Sequence, residues 1–88
     1  MPAFLKCKVS PGVFNHERSI SIVTSDGQEV LGFFPAQTID EEKQLLKVEI
    51  LETRNNQCLI RVPGFPSAAY GFIGITSGIW VLKDTLVL

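Results

Sequence analysis

Catalytic chemistry has little to work with in this chain. There is one histidine and there are two cysteines among 88 residues. A side-chain nucleophile needs a neighbouring base and a group that orients it. His16 stands beside Glu17 in a polar stretch, with Ser10 and Ser19 nearby in sequence, but neither serine sits in a GxSxG turn. The histidine reads as an exposed loop residue. Cys7 and Cys58 form no CxxC and no Cys/His cluster, so zinc-ligand spacing is absent. They read as two small residues on strands, and a disulfide would require neighbouring strands and an oxidising compartment. Asp40, Glu41 and Glu42 are adjacent, which suits a solvated turn better than acid and base facing each other across a cleft. The expectation is a protein that is not an enzyme, with no cofactor and no metal.

Charge is also scarce. Charged residues make up 19% of the chain, against about 25% in an average soluble domain. The formal net charge is −1, and neither half is basic: residues 1–39 hold three Lys/Arg and three Asp/Glu, residues 40–88 five and six. Nucleic-acid binders concentrate basic residues in a stripe. Here Lys6, Lys8, Arg54 and Arg61 would have to be gathered by the fold. A nucleic-acid-binding small β-barrel is therefore the alternative reading.

Helical periodicity is missing too. Residues 36–44 are the one candidate, where Thr38 and Glu41 have capping-box spacing, but only about two turns are available and such a helix is marginal alone. An acidic turn is the preferred reading. Residues 62–82 carry no charged side chain, and residues 63–82 have the length of a membrane span. Pro63, Pro66 and several glycines interrupt them, so no membrane span is expected. The opening MPAFLKCKV has no charged n-region followed by a long apolar h-region. A cytoplasmic protein with free thiols is the expectation. A single domain, residues 1–88, suits the length.

What the chain does have is period-two alternation. In residues 45–62, LLKVEILETRNNQCLIRV, Leu46, Val48 and Ile50 alternate with Lys47 and Glu49, the mark of a strand with one wet face. Arg54, Asn55, Asn56 and Gln57 then supply turn chemistry, and 58–62 is a second apolar run, so a hairpin is predicted. Leu5, Cys7 and Val9 mark a strand closed by Pro11-Gly12. Residues 19–24 are β-branched and alternate. Asp26-Gly27 predicts a two-residue hairpin turn leading into 29–34, where Gly32 signals a bulge, a bend or the close approach of another backbone. Two further strands follow: 70–76, weakened by glycines, and 79–88, either one final strand or a strand with a kink at Asp84.

Five or six short strands separated by turn signals predict an all-β domain. The favoured architecture is a small five- to six-stranded antiparallel barrel, SH3-like, with an OB-type barrel as the alternative. Phe33, Phe34 and Phe72 are assigned to its core. Phe65, Tyr70 and Trp80 lie in the uncharged stretch 62–82 and are the candidate protein-binding residues, with core packing as the competing role. The functional expectation is a non-catalytic interaction module or small accessory subunit that docks on a protein partner or on itself.

Overall fold

Alternating apolar residues commit the chain to strands, because an extended backbone sends successive side chains to opposite faces. The computed structural model describes residues 2–11, 16–62, 71–73 and 78–87. Among these there are ten strands, two 3-10 turns and no α-helix. β1 (Pro2–Lys6) and β2 (Lys8–Pro11) form one run interrupted at Cys7. β3 (Glu17–Val23) and β4 (Glu29–Pro35) make a hairpin. A 3-10 turn (Ala36–Thr38) leads to β5 (Ile39–Asp40), which pairs with the start of β6 (Leu45–Arg54). β7 (Gln57–Arg61) returns along β6. After β8 (Gly71–Phe72) come β9 (Ile79–Leu82), a second 3-10 turn (Lys83–Thr85) and β10 (Leu86–Val87).

These strands make two antiparallel sheets. The first runs β10-β1-β6-β7-β9, with β5 on the free part of β6; the second runs β2-β3-β4-β8. The run through residues 2–11 belongs to both, which fastens one sheet to the other. The sheets are not closed into a barrel: among the described residues no pairing joins β8 to β9. The ladder stops there because β8 has only two residues and Gly71 has a φ of +118°, outside the extended region.

The core follows the alternation. Leu5, Leu46, Ile60 and Val81 of the first sheet meet Ile20 and Phe34 of the second, and all six are fully buried. Phe34 and Phe72 pack edge to face with centroids 4.9 Å apart, whereas Phe33, assigned to the core from sequence, is only half-buried. Gly32 is where another backbone comes close: a β-carbon there would run into the Gly71 carbonyl and stand 2.7 Å from the Phe72 Cα.

Three local expectations are refined. The Asp26-Gly27 turn is a three-residue loop, not a two-residue one. The Thr24 N–H donates to the Gln28 carbonyl (2.8 Å) and the Gly27 N–H to the Thr24 carbonyl (3.0 Å), with positive φ at Gly27. A type I turn followed by a left-handed glycine closes a hairpin in this way. The capping box at Thr38 does not form. Its hydroxyl donates to the Pro35 carbonyl (2.7 Å), and Asp40 instead accepts from the Lys43 N–H (3.1 Å), tightening the turn before β6. The kink expected at Asp84 is the second 3-10 turn.

The bend at Cys7 needs a substitute partner, since a strand changing sheets leaves its ladder. Gln44 provides it. Its backbone carbonyl accepts from the Cys7 N–H and its side-chain Oε1 from the Val9 N–H, both at 3.0 Å. Gln44 adopts a φ of +57° to do so. Cys7 and Cys58 are both free thiols, Cys58 buried and Cys7 half-buried.

Candidate interaction cleft

Of the three residues singled out from sequence, Phe65 and Tyr70 lie outside the described residues. Trp80 is described, and its position is informative. On β9 the side chains of Ile79 and Val81 point into the core, so Trp80 and Leu82 point out. Trp80 is half-buried on that outer face, opposite Leu59 of β7.

A register shift brings charge to the ring. Strict alternation after Ile50 would send residues 52 and 54 to the interior with Leu46 and Val48. The β6–β7 pairing instead slips between Ile50 and Glu52, leaving Leu51 as the extra residue. Such a bulge reverses the facing of every later residue on the strand, and Glu52 and Arg54 face outward. Arg54 then lies over the Trp80 ring, its Cζ 5.2 Å from the centroid, while its Nε pairs with Glu52 at 2.7 Å. A guanidinium over an indole contributes about 0.5–1 kcal/mol at an exposed site.

The turn of the other sheet closes the site. The Ser25 N–H donates to the Trp80 carbonyl (2.9 Å), so the β3–β4 turn is anchored beside the edge of β9. Between this turn and the β6–β7 turn lies an open cleft of about 500 Å³. Asp26 and Gln28 line one side, Arg54, Asn55 and Gln57 the other, and Trp80 and Gly78 lie between them. Asn55 takes a φ of +50°, as the two-residue Asn55-Asn56 turn requires. The Lys83 N–H donates to the Asn56 carbonyl (2.7 Å), which ties this turn to the end of β9. A second recess of about 390 Å³, lined by Asn55, Asn56, Leu82, Lys83 and Asp84, shares Asn55 with the first.

The electrostatics are simple. Hydrogen bonding, chiefly from the Thr24 hydroxyl, holds the Asp26 carboxyl below its ordinary value of 3.8. All the lysines and arginines lie among the described residues, and none pairs with Asp26. Elsewhere the arginines are spent on glutamates: Arg18 on Glu41 (2.7 Å), Arg61 on Glu49 (3.0 Å) and Arg54 on Glu52. Lys6 reaches the Asp84 carbonyl (3.4 Å). The sequence marks Trp80 as a candidate by its aromatic character. Asp26, Gln28 and Asn55, which line the same cleft, read there only as turn-formers. The wide separation of the two turns in sequence gave no sign that they meet.

No protein-family model, curated protein or solved structure matches this chain. Among the described residues no helix is long and apolar enough to cross a membrane.

Proposed function

We propose that this protein is a non-catalytic protein-interaction module, with the trough around Trp80 as its docking site. The observation that carries the reading is the placement of Trp80: a half-buried indole on an outer sheet face, between two hairpin turns, at a cleft of about 500 Å³. Ligand sites of this size hold an aromatic surface with a few placed polar groups, and Gln28, Asn55 and Gln57 are such groups. Buried tryptophans and arginines dominate binding energy at protein interfaces, and here the two stack. Phe65 and Tyr70 are proposed as further protein-binding residues on the sequence alone, as aromatics of the uncharged stretch 62–82.

The finer architecture we propose is a small SH3-like barrel, open at one seam, with the OB-type barrel as the alternative. Its support is the order of neighbours: β2, β3, β4, β8 on one side and β1, β6, β7, β9 on the other, sharing one bent strand. A cytoplasmic location, and self-association as another use of the surface, belong to the same reading.

The formal net charge of −1, with neither half of the chain basic, weighs against the nucleic-acid alternative, because phosphate binding draws on a concentration of cations. The test is affinity capture with three forms of the immobilised protein: unmodified, Trp80→Ala and Arg54→Ala. Partners held by the unmodified protein and lost from both variants are expected. Identical capture by all three overturns the docking site. Retention of the protein on nucleic acid at ~50 mM salt that falls steeply as salt rises would replace the reading with nucleic-acid binding.

A further inference from the structure

The trough is asymmetric in charge, and that asymmetry selects its occupant. The Arg54 guanidinium is already neutralised by Glu52 and covers the Trp80 ring. The Asp26 carboxylate, across the cleft, is held by Thr24 and faces no cation of its own chain among the described residues. The remaining polar groups, Gln28, Asn55 and Gln57, are neutral amides that both donate and accept. The first recess therefore presents one uncompensated negative charge. In the second, Lys83 and Asp84 cancel. Because the two recesses share Asn55, they adjoin one another across the hairpin ends, a shape that suits an extended chain. Amide side chains spaced along such a trough match the backbone carbonyls and N–H groups of a peptide. The part of the half-buried Trp80 indole that Arg54 leaves uncovered offers a contact for an apolar or proline side chain.

We propose that the cleft receives an extended peptide segment, with a lysine or arginine of that segment against the Asp26 carboxylate and the adjacent residue against the Trp80 ring. This rests on the interaction-module reading and narrows it to a basic partner. Asp26 stays ionised below the usual carboxylate range, so the charge is present throughout the neutral pH range. An exposed pair of this kind contributes modestly, which sets the expected size of the selectivity.

Trp80 is the single tryptophan of the chain, so its emission and its indole N–H resonance report on the cleft alone. The experiment titrates the full-length protein with three short capped peptides identical except for a central Arg, Gln or Glu. The Arg peptide is expected to shift the Trp80 signals with an affinity roughly threefold above the Gln peptide, the Glu peptide falling below both. In Asp26→Asn the three affinities converge on that of the Gln peptide. The asparagine retains an acceptor for Thr24, so the turn is kept. Added salt removes the preference in the unmodified protein. Equal binding of all three peptides by the unmodified protein, or a preference that survives Asp26→Asn, overturns this proposal and leaves the interaction-module reading standing. If no peptide moves the Trp80 signals and capture is unchanged in Trp80→Ala, both fall.

Discussion

Gln44 is an exposed polar residue in a turn, yet two backbone donors depend on it. Replacing it with alanine keeps the carbonyl that serves Cys7 but removes the side-chain acceptor for Val9. Alanine also fits the φ of +57° poorly. A loss of about 1 kcal/mol in urea unfolding is expected for Gln44→Ala, with Gln44→Gly losing less because the backbone angle suits it. An unchanged midpoint in both would show that the bend holds without this residue. Cys7, held at the same bend, has its thiol pushed up by burial from 9.0 to about 11. The folded state therefore keeps its proton more tightly than the unfolded chain. This stabilising effect is complete below pH 9 and is lost as pH rises towards 11. Alkylation of native Cys7 by iodoacetamide should be slow at neutral pH and accelerate with a midpoint near 11. A midpoint at the ordinary thiol value would disprove the burial effect. Neither role is legible in the sequence. Nothing there sets Gln44 apart from Gln28, since its importance comes from a strand far away along the chain.

At the scale of elements, alternation did most of the work. The β6–β7 hairpin, the β3–β4 hairpin and the strand through Leu5 and Val9 all lie where period-two burial puts them. β8 falls within the strand expected over 70–76 and β10 within 79–88, but the two-residue strand β5 and the bulge at Leu51 were not foreseen. A pair of residues carries no period, and Leu51 looks like any other member of an apolar run. The half-buried Trp80 and the three turn residues of its cleft depend on that bulge and on the anchoring of Ser25, so the site was only partly legible. Gly32 reads in the sequence as a bulge, a bend or a close backbone approach, and the β4–β8 contact is the last of these. Gly32→Ala is expected to destabilise by about 1–3 kcal/mol, because the neighbours it meets are backbone and cannot rotate away. Amide exchange at Ile73, whose N–H donates to the Leu31 carbonyl (2.8 Å), should quicken in the variant. A neutral substitution with Ile73 still protected would contradict the packing.

For the whole molecule, composition anticipated an apolar surface. Phe4, Val23, Leu31, Leu51, Ile73 and Val87 are exposed. It did not anticipate two sheets in place of a closed barrel, because closure depends on how far β8 extends and glycine-rich sequence does not encode that length. The run through residues 2–11 is common to both sheets, so they should open as one unit. Hydrogen exchange under conditions that report opening equilibria is expected to give Ile20 in β3 and Val48 in β6 the same free energy. Distinct values would mean that the sheets unfold independently. The pairing of β1 with β10 has a mechanical consequence. The strands are antiparallel, with Phe4 opposite Val87 and Leu5 opposite Leu86, so the outer ends of both point the same way. Force applied at residues 2 and 87 would load the ladder one rung at a time and peel β10 away like a zip, at far lower tension than shearing all rungs together would demand.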